Sequence, residues 1–307
     1  MKHTYVIGTA FVDVKGFPKG SYDPKGRNVG DIKFVHGGVG RNVAENFANV
    51  GAPVAFVGML EESSMGRDVE RRLIERGVDV SHVVQAPENG IGMWLAIMDE
   101  AGDLAGSISR MPDLGLLEKY LSREIDAIAS DAGAIVLEMD LNERIAEMVV
   151  GAAKRHNTPL YAIVGNMSVV LGRKDLVSQT DCFICNNIEA GKFFGAEAVT
   201  DYTPSQMLEF LPDAAQAAGL ASMVVTMGDQ GAVYFDGPSG DCGICPPCPA
   251  NVVDTTGAGD AFFSGTVMGL VRGCSLADAT AYGARLASAT ISAEEATCPI
   301  DKGFFDR

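Results

Sequence analysis

The residues most readily assigned a chemistry lie near the C-terminal end, in the run Asp254-Thr255-Thr256-Gly257-Ala258-Gly259-Asp260-Ala261-Phe262-Phe263. Asn251-Val252-Val253 leads into this run, and a helical pattern of small and apolar residues from Ala261 to Val271 leads out of it. The stretch therefore reads as a loop entering a helix. The first N–H groups of a helix have no intrahelical partner and carry the positive end of the dipole, where phosphate binds readily. Gly257 and Gly259 let a ligand come close to that backbone. Asp260 falls in the first turn and points into the same space. A carboxylate repels phosphate, but it can take the proton of a hydroxyl that attacks one. The plainer alternative is a tight turn followed by an acidic helix cap.

A second run, Gly37-Gly38-Val39-Gly40-Arg41-Asn42-Val43-Ala44-Glu45-Asn46, puts two glycines before another helix. That pattern suits a hinge and a close backbone approach. Asn42, one turn into the helix, offers a donor and an acceptor together, as a sugar diol requires. An ordinary turn with a polar helix face is the plainer alternative. Asn186 and Glu189 stand about one helical turn apart, on one face, after an apolar strand-like run. Cys182 with Cys185, and Cys242, Cys245 and Cys248, have spacings seen in metal sites. However, Cys182–Cys185 reads as a strand, where residues three apart face opposite sides. Pro246 and Pro247 stiffen the second group. Reduced thiols are therefore expected.

These residues must be positioned by a scaffold, and its pattern is regular. Strand-like runs at Tyr5–Thr9, Val54–Met59, Ala134–Leu137, Leu160–Val164, Cys182–Cys185 and Met223–Thr226 alternate with helical stripes. Val39, Val43, Phe47 and Val50 form one such stripe, and Met65, Val69, Leu73 and Ile74 another. The alternation predicts an α/β fold with a mostly parallel sheet covered by helices on both faces. Two segments break it. Val12–Val35 is rich in glycine and proline with weak strand patterning, and Ile91–Met98 with Leu104–Ser109 reads as a hairpin. Together they can form a small sheet beside the main one.

The 307 residues are 47% hydrophobic, enough to fill a sizeable core, and the formal net charge of −16 disfavours nucleic acid and anionic membranes as partners. No apolar run reaches the length of a membrane span, and the N-terminal apolar run is too short for a secretory signal. A cytoplasmic location is expected. There is no GxxxxGK[ST] run, and neither glycine cluster completes a dinucleotide fingerprint.

Asp254–Phe263 and Gly37–Asn46 resemble the C-terminal and N-terminal signatures of the ribokinase-like (PfkB) family of sugar and nucleoside kinases, and the resemblance spans nearly the whole chain. It implies one kinase domain over residues 1–307: a doubly wound, mostly parallel sheet with a β-sheet lid from about 12–36 and 90–110. It implies ATP-dependent phosphorylation of a hydroxymethyl group, with Asp260 as base and the Gly257, Ala258 and Gly259 backbone as anion hole. Asp13, Gly37, Gly38, Asn42 and Asp140 match substrate positions. Thr226-Met227-Gly228-Asp229-Gln230-Gly231 resembles the nucleotide-binding turn, so Thr226, Gly228 and Gly231, with Asn186, are expected at ATP. Asn186 and Glu189 match the element that organises Mg²⁺ through water, and Asp254 and Thr256 match positions that help bind K⁺ in several relatives. A homodimer through the lid is a further family expectation.

Gly37–Ala48, Leu95–Asp103 and Ala287–Ile291 look most like pseudouridine kinases within the family, which points to a nucleoside phosphorylated at its 5′-hydroxyl. Arg110-Met111 and Gly165-Asn166-Met167-Ser168 depart from that pattern. Ribose or fructose is the alternative acceptor, and a non-catalytic sugar-binding member the alternative of another class.

Overall fold

The computed structural model describes residues 2–306. Along the chain run β1 (Thr4–Ile7), β2 (Phe11–Pro18), β3 (Gly30–Gly37), α1 (Val39–Asn49), β4 (Val54–Glu61), α2 (Ser64–Arg76), β5 (Val83–Ala86), β6 (Gly92–Met98) and β7 (Leu104–Arg110). Then follow α3 (Gly115–Asp131), β8 (Ala134–Glu138), α4 (Glu143–His156), β9 (Leu160–Ile163), α5 (Ser168–Gly172), α6 (Lys174–Val177), β10 (Cys182–Asn186) and α7 (Asn187–Phe194). The chain continues through α8 (Pro204–Ala217), β11 (Ser222–Thr226), β12 (Ala232–Asp236), β13 (Asp241–Cys245), α9 (Ala258–Val271) and α10 (Leu276–Ile291).

Nine strands form the main sheet in the order β13-β12-β11-β10-β9-β8-β1-β4-β5. It is parallel from β11 to β5, and only β12 and β13 are antiparallel additions. Because side chains alternate across a strand, β1 feeds two cores. Tyr5 and Ile7 pack with α3, α4, α7 and α8, through residues such as Leu121, Val149, Phe193 and Leu211. Val6 packs on the other face with α1, α2, α9 and α10, through Phe47, Leu73, Phe263 and Leu286. Cys185 belongs to the first core and Cys182 to the second, so these thiols lie on opposite sides of the sheet. Burial pushes both thiols up, away from the thiolate that a metal requires. Among the described residues no cluster of three or more His, Cys, Asp or Glu could hold a metal ion.

From β1 the chain winds to β4 and β5 on one side and to β8 and beyond on the other, so strand order reverses between β1 and β8. In sheets of this kind the crevice beyond the carboxyl ends at the reversal is where ligands bind. The second sheet, β3-β2-β6-β7, stands beside that crevice. Its β6–β7 hairpin falls where the sequence places it. The Val12–Val35 segment is more regular than its composition suggests, with two antiparallel eight-residue strands in register from Phe11–Gly37 to Pro18–Gly30. Parallel pairing of β2 with β6 supplies the partner that the local sequence cannot reveal. No helix among the described residues is long and apolar enough to cross a membrane.

Candidate active site

Asp260 lies in the first turn of α9, whose cap is Gly257 at φ 78°. The two glycines of this turn differ in what they permit. A Cβ on Gly257 would strike the carbonyl of Ala296, whereas a Cβ on Gly259 would meet nothing within 4 Å. Gly257 thus lets the loop seat against the 291–297 segment, while Gly259 leaves open space over the helix end. The Ala258 N–H bonds to Thr255 O at 3.2 Å, so this member of the expected anion hole already has a partner. Asp254 Oδ1 accepts from Thr256 N at 2.8 Å, and Val253 N donates to Ile291 O at 2.8 Å.

The carboxylate of Asp260 accepts a 2.6 Å hydrogen bond from Asn42 Nδ2. Desolvation by the surrounding chain pushes the Asp260 carboxyl up to about 7. The Asn42 bond and the charge of Arg41 pull it down, and the carboxylates of Glu138 and Glu189 push it further up. Asp260, Gly259, Asn186, Glu189 and Thr226 line one cavity with Ile184, Cys185 and Phe263. The sequence scatters these residues from 184 to 263, and the carboxyl ends of β10 and β11 bring them to the N-terminus of α9.

Asn186 and Glu189 form a capping box on α7. Asn186 Oδ1 accepts from Glu189 N at 2.8 Å, and Glu189 Oε2 accepts from Asn186 N at 2.9 Å. Burial raises the Glu189 carboxyl. Asn186 and Glu189 line the cavity, and such a pair suits a Mg²⁺ ion carried largely on phosphate and water, its usual preference. Thr226 reaches the cavity, while Gly228 at φ 61° and Gly231 at φ 91° shape the β11–β12 turn and lie outside the lining.

At the lid junction Gly38 has φ 95°, and a Cβ there would come within 2.6 Å of Thr9 O. Gly37 leaves room for the Asp13 carboxylate, which would lie 2.9 Å from an added Cβ. Burial raises the Asp13 carboxyl, against the charges of Lys15 and Arg41. Register sets Asp13 opposite Val35 and Trp94 on one face of the lid. Met93 pairs with Val12 and Arg110 on the other. Arg110 meets Glu61 at 3.4 Å there, so it does not share the Asp13 face.

Asp140, expected from the sequence near the substrate, has both carboxylate oxygens engaged by the chain's own backbone. Its buried carboxylate accepts from five backbone N–H groups, those of Gly165, Asn166, Met167, Val169 and Val170, at 2.8–3.2 Å. It staples the 165–170 loop and starts α5. A neighbouring carboxylate that sequence reasoning passed over ties the crevice together. Glu138, at the end of β8, is 7% exposed and accepts from Thr9 N at 2.8 Å and from Gly40 N at 3.2 Å. It joins β1, β8 and α1 at the point where strand order reverses, and burial raises its carboxyl despite those hydrogen bonds. An acidic residue closing the apolar run Ala134-Ile135-Val136-Leu137 was the one available signal.

The family model for pfkB family carbohydrate kinases matches residues 1–302. The chain is 34% identical over 297 residues to the guanosine-inosine kinase of Exiguobacterium acetylicum, with 96% of each chain covered. It is 26% identical over 304 residues to the pseudouridine kinase of Escherichia coli K12, covering 97% of this chain and 93% of that one. Among solved structures, Arabidopsis thaliana ribokinase complexed with ribose and ATP superposes with a TM-score of 0.83 at 21% identity, covering 99% and 98% of the two chains.

Proposed function

This chain belongs to the pfkB family of carbohydrate kinases, and we propose that within it the acceptor is a ribonucleoside, phosphorylated at its 5′-hydroxyl with Asp260 as general base. The observation that carries this reading is the place of Asp260. It stands in the first turn of α9, beside the open space over Gly259, in one cavity with Asn186, Glu189 and Thr226. The hydroxyl oxygen forms a bond to the γ-phosphorus as the bond to the ADP leaving oxygen breaks, and the hydroxyl proton passes to Asp260. The Gly259 and Asp260 N–H groups face developing negative charge at a dipole end. Mg²⁺, when bound, would neutralise phosphate charge; Glu189 and Asn186 are the residues that would hold its water shell.

Asp13, Gly37 and Gly38 frame the sugar. Trp94, beside Asp13 on the same lid face, offers a flat surface for a base. Guanosine and inosine come ahead of pseudouridine, because the guanosine-inosine kinase is the more similar relative. The test is kcat/KM with ATP for guanosine, inosine, pseudouridine, adenosine, ribose and fructose measured together. Nucleosides should lead by at least tenfold, the scale of discrimination from a few apolar contacts. A free sugar exceeding every nucleoside would overturn the nucleoside assignment and leave the kinase family untouched.

The outer lid face carries Ile32, Phe34, Leu95 and Ile108, all exposed. An apolar sheet face of this kind suits a second copy of the chain. Sedimentation equilibrium should give twice the chain mass, reduced to one by Phe34→Glu. A monomer at micromolar concentration would contradict the pairing.

A further inference from the structure

The hydrogen bond from Asn42 to Asp260 is the last link of a buried chain that begins at Arg41. Arg41 is 1% exposed. Its Nη2 donates to Asn42 Oδ1 and to the His36 carbonyl, its Nε donates to the Gly37 carbonyl at 3.2 Å, and its Nη1 meets Glu45 Oε2 at 2.6 Å. A guanidinium has only donors and an ionised carboxylate only acceptors. The Asn42 amide between them therefore has a single workable orientation, oxygen to Arg41 and nitrogen to Asp260. The two carbonyls that Arg41 holds are the last residues of lid strand β3.

We infer that Arg41 is a positioning residue for phosphoryl transfer: through Asn42 it fixes the direction of the Asp260 carboxylate, and it ties that direction to the end of the lid. The inference rests on the reading of Asp260 as base. Neutralising Glu45 is not sufficient reason for Arg41. Arg72 already reaches both Glu45 oxygens at 3.0 and 3.1 Å through Nε, and the Thr297 hydroxyl adds a bond of 2.8 Å. The remaining bonds of Arg41 run to the lid end and to Asn42. The groups acting on Asp260 come from several elements: Asn42 and Arg41 on α1, Glu138 on β8 and Glu189 on α7. Loss of Arg41 would remove a nearby positive charge and loosen the Asn42 donor, while the two carboxylates stay.

The test compares Arg41→Met and Arg41→Lys in the full chain, by steady-state kinetics with ATP from pH 5 to 9 and by thermal melting. For Arg41→Met, kcat at pH 7 should fall about 10- to 100-fold, the scale of a small misplacement of a reacting group. KM for ATP should hold, and the acid limb of the profile should move to higher pH, so that the deficit narrows above pH 8. Arg41→Lys, which keeps the charge but not the planar fork, should show the rate loss with a smaller displacement of the limb. A wild-type kcat, or a rate loss equal at every pH with the limb unmoved, would overturn the inference. If Arg41→Met does not fold, the same criteria are applied to Arg41→Lys. Asp260→Asn separates the two levels. If that variant turns over normally the base assignment fails. If it is inactive while the limb in both Arg41 variants is unmoved, only the role of Arg41 fails.

Discussion

Asn42 and Asp260, 218 positions apart in the chain, are joined by a 2.6 Å hydrogen bond from Nδ2 to Oδ2. The bond docks α1, the helix that follows the lid hinge, onto α9, the helix whose first turn carries the candidate base. One neighbouring contact reinforces the docking: Asn46 Nδ2 donates to Ser264 Oγ at 3.4 Å, and within α9 Ser264 Oγ in turn donates to Asp260 O at 2.6 Å.

A carboxyl raised to about 7 makes a pH prediction with a definite sign. The base must be unprotonated to act, so kcat/KM should climb with pH up to about 7 and level off above it. Stability should run the other way. The native state holds this proton more tightly than the unfolded chain, whose aspartates titrate near pH 4, roughly the ordinary value. Between about 4 and 7 the contribution of Asp260 to stability therefore falls as pH rises. Asp260→Asn should flatten that part of the curve of melting temperature against pH. An identical slope in the variant would show that the carboxyl titrates elsewhere.

Glu45 makes the opposite prediction. Burial alone would push its carboxyl up, but hydrogen bonds and charge from Arg72 and Arg41, with the Thr297 hydroxyl, bring it down to about 2. Its stabilisation is complete above the ordinary glutamate range and is lost as pH falls toward 2. Glu45→Gln takes the carboxylate partner from buried Arg41, while Arg72 keeps Glu295 at 2.8 Å, and should cost about 3 kcal/mol at pH 7, the scale for breaking a buried ion pair. Urea unfolding at pH 7 measures this, and a cost under about 0.5 kcal/mol would mean the cluster behaves like an exposed pair.

The parts of the candidate site carried by contiguous residues were legible in the sequence as a loop entering a helix. Gly257, Gly259 and Asp260 are adjacent, and the meaning of such a run follows from how any helix begins. The sheet was legible too, because buried parallel strands such as β4 run without a polar side chain from Val54 to Leu60. Arg41 was not legible, since a charged residue on a helix reads as a solvated one until its carbonyl and carboxylate partners are known. The same holds for Glu138, whose partners Thr9 and Gly40 lie 129 and 98 residues away. The backbone staple made by Asp140 was not legible, because five N–H groups converging on one carboxylate leave no local signature. The lid strands were obscured by Gly16 within the interior strand β2, by Pro18, which ends β2 beyond its pairing with β6, and by Gly30, which opens the edge strand β3.

Monovalent cation dependence tests the loop before α9. Burial pushes the Asp254 carboxyl up, but the Thr256 hydrogen bonds and the charge of Lys15 outweigh it and hold it below the usual range, so it is ionised at neutral pH. An anion in this position, on a loop anchored to the Ile291 carbonyl, would favour a bound K⁺. Turnover should be several-fold higher in potassium than in tetramethylammonium buffer; equal rates in sodium, potassium and tetramethylammonium would exclude a role for the cation.

The most direct measurement is turnover of Asp260→Asn with ATP and the preferred acceptor, alongside ATP binding by the same variant. Asparagine keeps the size of the side chain and lacks the base. ATP affinity and folding should be retained while kcat drops about 10²- to 10⁴-fold, the contribution of a positioned general base. Turnover within a few-fold of the unmodified protein would contradict the assignment of Asp260 as the base.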